Sequence, residues 1–213
     1  MMLISHRAKG FGCKENTLSA IHAAQPFHPD IIEIDVRTTR DGLLVLYHNR
    51  LYRKLPFRIF KKSQLPYEVP LLEEVLTRFP EQKFHLDIKA CSPQALIQAI
   101  KNQESNVMVS SYNTKFLKKL KELNQKINTK LNNCGNGIDP VKKAVKIKAS
   151  GIHVQKRFTT SRLIEKAHRN NLLVYAWTIN SENDARKLMK EGIDGIITDR
   201  IDKFSKIFKH HPV

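Results

Sequence analysis

Four short stretches place acids, bases and cations at spacings that chemistry can use: His6-Arg7, Glu33-Ile34-Asp35, His48 and Asp87-Ile88-Lys89. Side chains two apart on a strand share a face. Glu33 and Asp35 would therefore project together, and so would Asp87 and Lys89. Burying like charges is costly without a partner. A hard cation held by carboxylate oxygens would relieve the repulsion. Arg7 and Lys89 add positive charge, and His6 and His48 can move protons near neutral pH. Phosphodiester cleavage makes these demands together. Charge growing on the phosphoryl oxygens must be neutralised, the leaving alcohol needs a proton, and the attacking oxygen must lose one. Taken singly, a Glu-x-Asp pair is weak and His6-Arg7 fits an ordinary surface; the coincidence at four strand ends carries the argument.

The elements that must position these residues are short apolar runs alternating with helical stretches. Strands are predicted at residues 3–5, 31–36, 84–88, 107–110, 127–131, 151–154, 173–178 and 195–198. Helical spacing runs through 17–24, 71–79, 93–101, 114–123, 140–148, 161–170 and 181–191. Asn113 and Thr160 stand where N-caps are expected, and Gly192 where a helix would end. Such alternation predicts a parallel sheet with crossover helices, and eight repeats predict an α/β fold of the (β/α)₈ TIM-barrel type. Catalytic residues of such barrels sit at the C-terminal strand ends. A ninth apolar run, 43–47, follows Asp41-Gly42, a strong signal for a two-residue hairpin turn. In that register Arg40 faces Leu43 and Asp35 faces His48. Opposed residues lie about 4.5–5.5 Å apart at Cβ.

With 213 residues, the chain is short for a barrel, which typically takes about 250. A single domain over 1–213 is expected. No stretch approaches the roughly 20 apolar residues of a membrane span. The start leaves no room for a signal-peptide apolar region, and Cys13, Cys91 and Cys134 are odd in number and widely spaced. Both features predict free thiols in a cytoplasmic protein. Lysine and arginine number 37 against 20 acids, a formal charge of +17. Such a surface draws polyanions or simply keeps a protein soluble. A nucleic-acid binder would be expected to show zinc-finger spacing, RNP-type aromatics or a basic heptad region, and none is present.

Residues 50–62 (RLYRKLPFRIFKK) form a short basic insertion after strand two. Arg50, Arg53, Lys54, Arg58, Lys61 and Lys62 interleave with Leu51, Tyr52, Leu55, Phe57, Ile59 and Phe60. Two readings stand: peripheral contact with an anionic membrane, or a lid whose apolar residues pack over the barrel mouth.

The run ISHRAKGFGCKENTLSAI resembles the opening of the glycerophosphodiester phosphodiesterase family. IIEIDVRTTRDGLLVLYHN, VPLLEEVL, LDIK, VSSYN, AWTIN and GIDGIITDR resemble its later blocks in the same order. The resemblance implies metal-dependent hydrolysis of glycerophosphodiesters to glycerol 3-phosphate and an alcohol. At matching positions it implies His6 and His48 as acid and base, and Glu33, Asp35 and Asp87 as ligands of a divalent cation, Mg²⁺ or Ca²⁺. It implies Arg7 and Lys89 on phosphate oxygens. Glu15 would stand behind them or on the glycerol side, and Trp177 would line the substrate pocket. Without the family, Trp177 reads as core.

The chain departs from the pattern at four places. Ala8 replaces a glycine, Lys14 a proline, Asn49 a common aspartate, and Asp87 a common glutamate, shortening that reach by about 1.5 Å. These departures motivate an alternative, a catalytically impaired member. Another is lysophospholipase D-like cleavage of lipid phosphodiesters at a membrane, because the lipid-cleaving branch also carries Asp there.

Overall fold

Alternate residues of successive strands turn their side chains inward, and this two-residue period builds the site. The computed structural model describes residues 1–133, 135, 137 and 139–208. Strands β1 (Met2–His6) and β2 (Ile31–Thr38) lead into a short antiparallel strand, β3 (Leu44–Leu46). A small hairpin of β4 (Leu51–Tyr52) and β5 (Leu55–Pro56) follows. Then come β6 (Phe84–Ala90), β7 (Val107–Ser111), β8 (Asn128–Asn133), β9 (Gly151–Gln155), β10 (Leu173–Trp177) and β11 (Gly195–Thr198). The parallel order β1-β2-β6-β7-β8-β9-β10-β11 returns to β1, so the eight strands close into a TIM barrel.

Helices α1 (Leu18–Ala24), α2 (Leu72–Arg78), α3 (Pro93–Ala99), α4 (Thr114–Leu123), α5 (Pro140–Lys146), α6 (Ser161–His168) and α7 (Glu182–Lys190) cross between the strands. An eighth, α8 (Ile201–Phe208), follows β11 and has no counterpart among the predicted helices. Helix α4 shows why these segments fold as they do. Phe116, Leu117 and Leu120 form its buried face, while its lysines face water. Asn113 caps it by accepting from the Phe116 N–H, and Thr160 caps α6 by accepting from Leu163. Gly192 ends α7 at φ +83°. The main apolar layer lies between barrel and helices, where Ile32, Ile34, Leu86, Val109 and Val174 are wholly buried. Cys13 and Cys91 are free thiols; Cys134 lies outside the described residues.

The hairpin after β2 differs from the predicted one. Val36 pairs with Leu46 and Thr38 with Leu44, a register one residue off the expected pairing. Asp35 therefore stands opposite Tyr47, whose N–H donates to the Asp35 carbonyl at 2.9 Å. The cause is a longer turn. Gly42 donates to the Thr39 carbonyl, Thr39 N–H donates to Leu43, and Gly42 takes φ +83°. Three residues, Arg40 to Gly42, bridge the strands rather than two.

The basic insertion divides in two. Phe57 is 2% exposed and stacks on Tyr47 at 4.6 Å, and Tyr52 meets Phe60 edge-on at 5.1 Å. Val45, Leu65 and Val69 complete this small satellite core. Leu51, Leu55 and Ile59 stay outside it, 49%, 51% and 43% exposed. The packing expected of a lid is therefore present for Tyr52, Phe57 and Phe60 and absent for Leu51, Leu55 and Ile59.

Candidate active site

Parallel register sets the level of each functional side chain. Asp35 on β2 stands beside Asp87 on β6, Glu33 beside His85, and His6 on β1 beside Glu33. Asp87 in turn neighbours Ser110 on β7. Facing inward at the C-terminal strand ends, the residues line a cavity of about 180 Å³. Its walls include His6, Arg7, Glu33, His48, Asp87 and Lys89, with Trp177 at one side. Trp177 also packs against the barrel-interior cluster of Ile4, Met108 and Tyr175, so it is both pocket wall and core. Asp35 is wholly buried beneath.

Glu33, Asp35 and Asp87 each offer a ligand atom, and the three atoms lie within 4.8 Å of one another. All three are carboxylate oxygens, the donor set a hard cation takes. Lys89 Nζ is 3.0 Å from Asp35 Oδ1 and also meets Asp87 Oδ2. Arg7 Nε lies 3.1 Å from Asp35 Oδ2, and Asn16 donates to the same oxygen at 2.8 Å. Burial alone would raise Asp35, but Lys89, Arg7 and Asn16 outweigh it and hold this carboxyl below its usual range. Glu33 goes the other way. Burial first, then the charges of Asp35 and Asp87, push it well above the usual range. Two cations thus serve three clustered carboxylates. Among the described residues, Glu33 accepts one hydrogen bond, from the Arg7 backbone N–H at 3.0 Å. A divalent cation fits this deficit.

The turn after β1 shapes this corner. Arg7 and Ala8 take φ +55° and +51°, and Lys9 N–H closes the turn on the His6 carbonyl. Ala8 therefore occupies the left-handed conformation that glycine would hold without strain, at roughly 1–2 kcal/mol. The turn aims the Arg7 N–H at Glu33 and its Nη1 at Glu15, 3.0 Å away. Glu15 joins the site through Arg7. Lys14, in the proline's place, pairs at the surface with Glu68.

Both catalytic candidates are oriented through Nδ1. His6 Nδ1 lies 2.7 Å from Asp199 Oδ1, and His48 Nδ1 lies 3.1 Å from Asn49 Oδ1. These acceptors place the proton on Nδ1 and leave Nε2 for the cavity. Asn49 thus keeps the acceptor that an aspartate would give. Burial pushes Asp199 up, but bonds from His6 and Asn180 more than offset it and bring its carboxyl to about 2. His48 reaches the cavity from the loop after β3, and Arg37 holds its carbonyl at 2.9 Å.

Several residues here were not singled out in the sequence. Asp199 and Asn180 lie inside resembling blocks, yet their pairing is a long-range contact that no spacing announces. Asn132 donates to Asp87 Oδ1 at 2.9 Å, and Ser110 donates to the same oxygen at 3.3 Å. His85 Nε2 is 2.7 Å from Ser110 Oγ. His85 and His153, 4.4 Å apart at ring centroids, form the cavity floor. Burial, the largest cause, lowers His85 to about 3 and also His153, so both are neutral. The fold and site together define a barrel built to act on an anionic substrate at its C-terminal mouth.

The model of the glycerophosphoryl diester phosphodiesterase family matches residues 6–56 and 94–203, and the chain belongs to that family. A glycerophosphodiester phosphodiesterase of Caldanaerobacter subterraneus is 28% identical, with 93% of each chain covered. One from Bacillus altitudinis is 24% identical over 96% of this chain and 97% of the relative. An Oleispira antarctica phosphodiesterase, solved in complex with sn-glycerol-3-phosphate, superposes with a TM-score of 0.88 at 22% identity, covering 98% and 97%. The stretch between the matched segments holds Asp87, Lys89 and half of the basic insertion.

Proposed function

We propose that this single barrel domain hydrolyses glycerophosphodiesters to glycerol 3-phosphate and an alcohol, with a divalent cation, Mg²⁺ or Ca²⁺, held by Glu33, Asp35 and Asp87. The observation that carries this reading is the convergence of those three carboxylates within 4.8 Å, at the base of a cavity that also receives His6 and His48. When bound, the cation supplies Lewis-acid stabilisation of the phosphoryl oxygens. The chain's own residues do the rest. Lys89 and Arg7 add positive charge where phosphate oxygens gather. The Nε2 atoms of His6 and His48 serve as acid and base, giving a proton to the leaving alcohol and taking one from the attacking oxygen. Trp177 supports the apolar side of the substrate. The free thiols Cys13 and Cys91 fit a cytoplasmic enzyme.

The test is a substrate panel of glycerophosphocholine, glycerophosphoethanolamine and a lysophospholipid, assayed with chelator and with Mg²⁺ or Ca²⁺ restored. The expected result is release of glycerol 3-phosphate that chelation stops and metal restores. Turnover indifferent to chelator, or none on any substrate, would refute the reading. Preference for the lysophospholipid would favour the second reading, lipid cleavage at a membrane by the same residues, which the exposed half of the insertion supports.

Asp87 is one methylene shorter than the family's usual glutamate, and Asn132 and Ser110 set its carboxylate. Replacing Asn132 with leucine is expected to weaken cation binding about 10- to 100-fold, as loss of such supporting hydrogen bonds does elsewhere. Calorimetric titration of the metal-free protein measures this directly. Unchanged affinity would show that Asp87 needs no such support.

A further inference from the structure

The exposed half of the basic insertion has no part in the site chemistry. Leu51, Leu55 and Ile59 stand 49%, 51% and 43% exposed within one nine-residue stretch. Single exposed apolar residues are ordinary. Here they are set among six cations, with no Asp or Glu anywhere from residue 42 to residue 67. Among the described residues none of those six side chains closes a salt bridge, although Asp41 accepts from the Lys62 backbone N–H and feels the Lys61 charge; Arg53 lies over the Tyr52 ring at 5.2 Å. Tyr67, in the loop whose Leu65 and Val69 pack beneath, is 95% exposed.

The segment is held in place. Phe57 anchors it in the satellite core, and the β4–β5 hairpin turns through Arg53 and Lys54 at φ +48° and +63°. An Asn-Gly pair would hold that turn with less strain. The chain instead places two cations at its tip. The insertion leaves the cavity rim two residues past His48, so a surface bound there lies beside the barrel mouth.

We propose that residues 50–62 are a docking surface for an anionic phospholipid bilayer. Leu51, Leu55 and Ile59 enter the headgroup region while the cations meet lipid phosphates. Charge complementarity selects an anionic partner, and the division of the side chains selects lipid over nucleic acid. Single-stranded nucleic acid is bound by aromatic faces left open for stacking. Here Tyr47, Tyr52, Phe57 and Phe60 are packed against one another and aliphatic side chains are presented instead; Tyr67, outside the insertion, is one open ring rather than a row of them.

The experiment is sedimentation of the full chain with phosphatidylcholine vesicles, with and without phosphatidylglycerol. Wild type is expected to pellet with the anionic vesicles and to be released by salt. L51S/L55S/I59S is expected to lower the partition coefficient at least about tenfold, through lost apolar burial alone. R53E/K54E is expected to lower it by at least about tenfold and to remove the preference for phosphatidylglycerol. Both variants are checked for an unchanged thermal midpoint, so the result stands apart from the hydrolytic reading. Failure of wild type to bind anionic vesicles overturns the proposal. So does full binding by L51S/L55S/I59S, which marks a mere polycation. A short DNA duplex that displaces the vesicles, and whose own binding falls equally in L51S/L55S/I59S, also overturns it by assigning the surface to nucleic acid.

Discussion

Replacing His6 with alanine is expected to lower kcat for glycerophosphodiester hydrolysis about 10²- to 10⁴-fold, the usual contribution of a positioned acid or base. The KM and the metal-induced rise in unfolding midpoint should stay near wild type, because His6 lies outside the carboxylate cluster. Asp199→Asn should cost a similar factor without touching His6 itself. Asn180 Nδ2 already donates to one Asp199 oxygen, so an amide there turns its oxygen to Asn180 and its NH2 to His6 Nδ1, 2.7 Å away, which moves the ring proton to Nε2 and closes that atom to proton uptake. Asn180 and Thr198 bracket this pair. Asn180 Nδ2 donates to Asp199 Oδ2 while its Oδ1 accepts from the Asp199 N–H and the Thr198 hydroxyl. Groups that act as a unit are not additive, so H6A/D199N should be no slower than H6A alone. Steady-state kinetics on the three variants decide the matter. Full rate in H6A, or multiplicative losses in the double variant, would mean that the two residues do not form one proton-handling pair.

The barrel was legible because its signals are local. Strand and helix periods, the Asn113 and Thr160 caps, and Gly192 all act within a few residues of themselves. The two-apart rule likewise placed Glu33 with Asp35 and Asp87 with Lys89, since strand pleat fixes facing regardless of neighbours. The turn at Asp41-Gly42 is one residue longer than its sequence predicts. A two-residue turn and a three-residue turn both use glycine at positive φ, and the sequence does not separate them; the hydroxyl of Thr39, bonded to both Leu43 N–H and carbonyl, tips the balance. His48 reaches the cavity all the same, because the loop beyond β3, rather than strand pairing, delivers it. Asp199, Asn132 and Ser110 carry no local signal for a different reason. Their importance lies in what they touch on other strands, 193, 45 and 23 residues away in sequence. Strand β8 runs to Asn133, beyond the predicted end at residue 131, and that extension carries Asn132 to Asp87. Polar Asn-Asn at a strand end reads as a loop until a buried acceptor is known to face it.

Glu33→Gln is expected to abolish cation binding and lower activity about 10³-fold, since the lost charge stabilisation is several kcal/mol at about 1.4 kcal/mol per tenfold. The same substitution should stabilise the metal-free protein near neutral pH. Burial first, then the charges of Asp35 and Asp87, hold the Glu33 carboxyl well above the ordinary value of 4.5. Above that ordinary value the unfolded chain sheds the proton while the folded chain retains it. The folded state then binds more protons than the unfolded one, and stability falls as pH rises toward the raised folded value. Glutamine keeps the shape and carries no titrating proton, so its stability should be flat through that window. Each kcal/mol relieved would raise the unfolding midpoint by about 2–4 °C in a chain of this size. Added Mg²⁺ or Ca²⁺ should reverse the order, stabilising wild type and leaving Glu33→Gln unmoved, because binding to the native state alone is what shifts the midpoint. Differential scanning calorimetry across pH, with and without metal, reads both effects. A Glu33→Gln variant less stable than wild type in chelator would show that the carboxylate is satisfied by Arg7 and Lys89, and the electrostatic case for a cation at this site would fall with it.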